Sequence, residues 1–130
     1  MQDSANPARE EGAGLAQHFC SRALSFSRPR QVDLNLLVTF ETTPVLVHVR
    51  DGRVTAAGVT SAPMPACDVA LHASANAWSR FWQAVPAAGW HDIFALGKRG
   101  ELSIRGNLQP LMAHLQFVKD LLACGRQARP

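Results

Sequence analysis

The sequence predicts an α+β fold with a five-stranded, mostly antiparallel sheet, and two periodicities and one turn carry the prediction. From residue 32 to residue 59, apolar and polar residues alternate, the pattern of strands with one buried face and one wetted face. Within that stretch Asp51-Gly52 separates two such runs, a dipeptide that favours a tight hairpin with positive φ at its central residues. After Ser74, and again after Asn107, the apolar spacing lengthens to three and four residues, the period of a helix packed on one side.

The elements follow in order. Residues 1–9 are polar and contain Pro7, and are expected to form a flexible leader before a single domain over 10–125, with 126–130 as a tail. From Glu10 to Leu24, Leu15, Phe19 and Ala23 recur every four residues, which predicts a modestly amphipathic helix. Pro29 disfavours helix at Arg28 and ends that pattern. Strands are predicted over 32–40, 45–50, 53–59 and 67–73, with Val45, Val47 and Val49 on one face and Val69 and Leu71 toward the core. Pro63 and Pro65 make a rigid link before the fourth of these.

Ser74 can cap the next helix, in which Trp78, Phe81, Trp82 and Val85 share a face and Pro86 is the stop. A short helical piece is expected at about 90–96, then a turn marked by Gly97 and Gly100 into a brief fifth strand, 101–105. One last helix then runs from the cap Asn107 to Gly125, with Pro110 tolerated in its first turn. Its expected stripe is Leu108, Leu111, Met112, Leu115, Val118, Leu121 and Leu122.

Composition narrows the function. The chain has 130 residues, 47% hydrophobic and 18% charged, a globular balance large enough for one core without metal or disulfide staples. Much of its net charge of +3 sits in Arg22, Arg28, Arg30, Arg126 and Arg129 near the two ends, with no run of basic residues and no Arg-aromatic ladder, which argues against nucleic acid as a partner. Cys20, Cys67 and Cys124 are far apart and form no Cys-x-x-Cys pair, so no zinc or redox motif is present and three ordinary thiols are expected. The start lacks the basic-then-apolar pattern of a signal peptide, and no apolar stretch is long enough to span a bilayer. The cytoplasm is therefore the expected compartment, and integral membrane insertion is not expected.

No catalytic residue, cofactor or metal site is expected. The nucleophile elbow, dinucleotide and phosphate-loop glycine motifs and the His-Glu-x-x-His zinc motif are all absent, and the chain has no tyrosine. His91-Asp92 is the one adjacent acid–base pair among the histidines, but neighbours on a helix point about 100° apart and do not meet. An enzyme working through His91 is the most distant reading, and loss of an activity in His91→Ala is what would reveal it.

From Val45 to Leu122 the chain resembles the sterol carrier protein-2 domain. The likeness rests on the Val-rich strand into Asp51-Gly52, on Asp68-Val69-Ala70-Leu71, and on a helix beginning near Ser74 that bears Trp78. It continues in Gly100-Glu101-Leu102-Ser103-Ile104-Arg105-Gly106-Asn107, which looks like the family's G-x-L-x-I-x-G-D signature before its final helix. Asn107 replaces the usual Asp, which keeps the cap and loses a charge. The resemblance implies a five-stranded sheet with helices on one face around an apolar cavity. It also implies a non-catalytic protein that binds or presents a fatty acid, acyl-CoA or sterol-like lipid. Residues 89–96 look like those of a bacterial subgroup, some of which occur with α/β-hydrolases. The alternative function is therefore an accessory module that docks a partner enzyme.

Trp78, Phe81, Trp82, Trp90, Ile93 and Phe94 fall within seventeen residues, more apolar surface than two short helices need to dock. Periodicity alone favours these rings as core filling. With the resemblance, Trp78, Phe81, Trp82 and Phe94 become candidate ligand contacts, faced by Leu111, Met112, Leu115 and Val118 of the last helix. Lys98, Arg99 and Arg105 lie close enough in sequence to meet a lipid carboxylate or phosphate at the cavity mouth, although a solvated turn is the plainer expectation.

Overall fold

A computed structural model describes residues 7–62, 66–83, 90 and 93–126. The chain begins with α1 (Pro7–Ala23), followed by β1 (Leu34–Phe40), β2 (Thr43–Arg50), β3 (Arg53–Val59) and β4 (Val69–Ala73). Then come α2 (Ala75–Phe81), α3 (Ile93–Lys98), β5 (Leu102–Gly106), α4 (Leu108–Ala113) and α5 (Leu115–Leu122), with a closing 3₁₀ turn over Ala123–Gly125. Among the described residues α1 begins at Pro7, earlier than the expected Glu10, with the proline in a first-turn position that needs no N–H. Pro63, Pro65, Val85, Pro86, His91 and Asp92 lie outside the described residues.

The five strands form one sheet in the order β3-β2-β1-β4-β5, in which β1 and β4 run parallel and every other neighbouring pair is antiparallel. The alternation read from the sequence is realised in the burial. Leu34, Leu36, Val38 and Phe40 of β1, Val45, Val47 and Val49 of β2, and Val69, Leu71 and Ala73 of β4 all face the core. Asp51 and Gly52 have φ of 54° and 74°, so the β2–β3 hairpin closes through two left-handed residues as its dipeptide predicts. Ser74 Oγ accepts from Ala77 N and Asn107 Oδ1 accepts from Gln109 N, which confirms both expected caps.

The core lies between the buried sheet face and the helices. Phe19 of α1, Phe40 of β1 and Trp78 and Trp82 at α2 meet there, with ring centroids 4.8 to 6.1 Å apart. Both indole N–H groups are bonded to the main chain, Trp78 Nε1 donating to Thr39 O (3.1 Å) and Trp82 Nε1 to Leu122 O (2.7 Å). A buried indole needs such a partner, and the two bonds fix how α2 seats on β1 and on the end of α5.

Three local expectations are corrected. The last helix is two helices, because His114 leaves helical geometry at φ −122° and ψ 36° while Pro110 O still accepts from its N–H. The predicted stripe divides with it. Leu111, Val118, Leu121 and Leu122 are buried, Leu115 is partly buried, and Leu108 and Met112 are 49% and 56% exposed. The bend also turns Phe117 inward, where it meets Phe26 edge-on at 5.2 Å. Finally, the short helix is displaced to 93–98 and keeps Gly97 within its last turn.

Candidate ligand cleft

The end of α2, the start of α3, α5 and the closing 3₁₀ turn surround a cleft of about 400 Å³. Phe81, Ile93 and Ala123 supply its apolar lining, and Gln116, Lys119, Asp120 and Arg126 its polar lining. Gln116, Lys119 and Asp120 of α5 and Ala123 just after it recur at i, i+3, i+4 and i+7, a face adjoining the one that carries Val118, Leu121 and Leu122 into the core.

The charged groups are held in different ways. Arg126 donates through Nε and Nη2 to Phe81 O at 3.1 and 2.9 Å, and its guanidinium carbon lies 4.9 Å from the centroid of the Phe81 ring. Burial lowers its pKa below the ordinary arginine value, yet a guanidinium starts so high that it stays charged at neutral pH. Lys119 Nζ sits 5.5 Å from the centroid of Phe94. Asp120 is engaged on both oxygens, accepting from Gln116 Nε2 at 2.9 Å and standing 3.8 Å from Arg28 Nε. Two cations and one carboxylate already tied to its own partners leave the lining net positive, a setting that favours an anionic group over an apolar lining.

A smaller recess of about 220 Å³ is lined by Leu15, His18, Ser79, Trp82 and Gly125. His18 Nε2 is 2.9 Å from Gly125 O, an acceptor only, so the proton is on Nε2, and the imidazole meets Trp82 edge-on. This bond ties α1 to the chain end and commits the imidazole to a structural contact.

The eight expected contact residues are distributed as follows. Phe81 lines the larger cleft, and Phe94 lies under the Lys119 ammonium. Trp82 lines the recess with one edge, while Trp78 is buried among rings. Leu111 and Val118 are buried in the core, Leu115 packs partly against it, and Met112 faces solvent. The three clustered cations are separated. The Arg99 guanidinium lies 4.7 Å from the Trp90 centroid, which Arg80 also approaches at 4.8 Å; Lys98 is exposed; and Arg105 is on the outer sheet face, paired with Ala70. Sequence reasoning missed Gln116, Lys119, Ala123 and Arg126, as well as Asp120, and named Ile93 only within the apolar cluster. The first three have a legible signal in their helical spacing beside the buried stripe, whereas Arg126 falls in the expected tail. Among the described residues, no three His, Cys, Asp or Glu side chains are gathered in a metal-binding geometry, and no helix is long and apolar enough to cross a membrane.

No family model matches the chain, and no curated protein matches it by sequence. Solved structures do match its fold. The UbiJ-SCP2 ubiquinone synthesis protein superposes with a TM-score of 0.51 at 16% identity, over 91% of this chain and 97% of that one. A conserved hypothetical protein from Thermus thermophilus, described as a possible sterol carrier protein, gives 0.50 at 14% identity, over 90% and 89% of the two chains. The five-stranded sheet, its helical cover and these matches together show that the chain has an SCP2-like fold.

Proposed function

We propose that this protein is a non-catalytic lipid-binding or lipid-presenting domain. In this reading the cleft between α2, α3 and α5 takes the end of a fatty acyl or similar amphiphilic ligand. The observation that carries the reading is the cleft's composition within an SCP2-like fold: an apolar lining of Phe81, Ile93 and Ala123 beside Lys119 and Arg126. Its volume of about 400 Å³ falls in the range of about 300–1,000 Å³ common for small-molecule sites. Apolar burial, at about 25 cal/mol per Å², would supply most of the affinity, and the cations would orient the ligand's carboxylate or phosphate. Of the residues expected from the sequence, Phe81 lines this cleft, and Phe94 lies beside it under the Lys119 ammonium. The setting is the cytoplasm, and sterol-like ligands fit the same reading through their apolar body.

Displacement of a fluorescent fatty acid tests the site. Ala123→Trp fills the cleft and is expected to abolish uptake, while Lys119→Gln is expected to weaken a fatty acid by about tenfold and to leave the fatty alcohol of equal length unchanged. Equal loss for acid and alcohol, or full uptake by the Ala123→Trp protein, would place the ligand elsewhere. A chain that takes up neither would leave the partner-docking function as the reading to pursue.

A further inference from the structure

Trp90 carries two guanidinium groups on one ring. Arg80, in the last turn of α2, and Arg99, just past the end of α3, place their guanidinium carbons 4.8 and 4.7 Å from the centroid of this indole. The ring itself is buried, so it is a fixed plate for both. The two cations are therefore held within about 10 Å of each other, a separation across which salt at about 0.1 M only partly screens their repulsion. Both arginines are exposed, and among the described residues neither meets a carboxylate or donates a side-chain hydrogen bond. Glu101, two residues from Arg99, is paired with neither.

A basic residue near the end of a helix interacts well with the dipole there, which accounts for one cation on each helix. It does not account for the gathering of both on one ring against their mutual repulsion. The backbone of Arg99 is fixed, because α3 closes with Glu101 N donating to Leu96 O and Gly100 N to Gly97 O, Gly100 taking φ 77°. Stacking on an indole uses the face of a guanidinium and leaves the N–H donors around its edge unspent. Two such forks, held by one plate and matched by no acid, suit an oxyanion with more than one negative charge. A phosphoryl group brings that charge and acceptor oxygens enough for both forks, where a carboxylate brings one charge and two oxygens.

We propose that Arg80 and Arg99, stacked on Trp90, form a binding site for a phosphoryl group. Neither arginine lines the cleft that holds Lys119 and Arg126, so this site does not depend on the cleft being filled. Arg99 thus acts with an arginine distant in sequence instead of with Lys98 and Arg105.

Isothermal titration calorimetry of the intact protein tests it, with glycerol 3-phosphate and with dihexanoyl phosphatidic acid below its micelle concentration as probes. Binding near one per chain is expected, about tenfold weaker in Arg80→Gln and in Arg99→Gln. A similar loss is expected in Arg99→Lys, which keeps the charge and gives up the planar fork. All three replace exposed side chains, and an unchanged thermal midpoint would show that each variant is folded. Equal affinity for the two probes would support a free phosphate compound as the ligand, and tighter binding of the lipid would support a headgroup. Absence of binding, unchanged binding by the Arg80→Gln/Arg99→Gln double variant, or full retention in Arg99→Lys overturns the proposal. So does binding lost in Lys119→Gln and kept in the double variant, which would move the anion to the cleft. Fatty-acid uptake separates the two readings: uptake without phosphate binding removes the arginine site alone, and phosphate binding without uptake removes the ligand cleft alone.

Discussion

Trp82 and Gly125 show how one residue determines what another must be. An added Cβ at Gly125 would lie 2.6 Å from Cε2 and Cζ2 of the indole, so the glycine is required by close approach; Gly125 has none of the positive φ by which a glycine commonly ends a helix. Gly125→Ala is expected to destabilise the fold by about 1–3 kcal/mol in urea unfolding, and by clearly less in a Trp82→Phe background, where the colliding ring atoms are gone. Equal costs in both backgrounds would show that the contact is not the cause. The thiols provide a second test. Burial pushes the Cys124 thiol up to about 12, against a weaker downward pull from Arg22, whereas an unfolded cysteine ionises at about 8.5. Between those values the unfolded chain releases a proton that the folded chain keeps, so this contribution is whole below about 8.5 and is lost as the pH climbs toward 12. From about pH 8 to about pH 10, the thermal midpoint of the Cys124→Ala protein should therefore fall less than that of the parent. At this scale the sequence is informative about which residue types are buried and silent about pairs distant in the chain. Nothing in residue order sets His18 against the Gly125 carbonyl or Trp82 against Leu122.

Where an element's signal is local, the sequence and the structure agree. Alternation locates the strands, Asp51-Gly52 locates a hairpin with two positive φ values, and Ser74 and Asn107 locate two helix starts. Each depends on a few neighbouring residues and on backbone sterics alone. The Ser74 cap is therefore expected to contribute about 1 kcal/mol, lost in Ser74→Ala and largely retained in Ser74→Asp, as read by thermal unfolding. An unaffected Ser74→Ala protein would instead mean that the Glu41 carboxylate, which accepts from Ala75 N at 2.9 Å, holds this end by itself. The final helix is misleading in sequence because its period is compatible with one straight rod. The bend at His114 is imposed by packing, which draws Phe117 and Val118 into the core and releases Leu108 and Met112 to solvent. No residue between Asn107 and Leu122 other than Pro110 breaks a helix, and Pro110 sits where the first turn accepts it.

Across the whole molecule, the order of elements matters more than any one of them. The hairpin, the Asp68–Leu71 strand, the Trp78 helix and the Gly100–Asn107 stretch are each common, and their succession points to the SCP2-like fold that the solved structures match at 14–16% identity. The position of the cleft is less legible. The aromatic richness that suggests a pocket mostly fills the core, since Phe40, Trp78 and Trp82 pack on one another and both indoles are bonded to backbone. The cleft forms beside that cluster, where Phe81 is the one ring among the described residues shared by core and lining, and its cations come from a helix face and the segment after it with no motif of their own. The central claim is that this protein carries a lipid. Native mass spectrometry of the protein as purified, followed by solvent extraction, tests it most directly. A bound fatty acid or phospholipid near one per chain, released with the apolar phase and lost in the Ala123→Trp protein, is the predicted result. An apo mass that stays unchanged on adding fatty acids, acyl-CoA or sterols would contradict it.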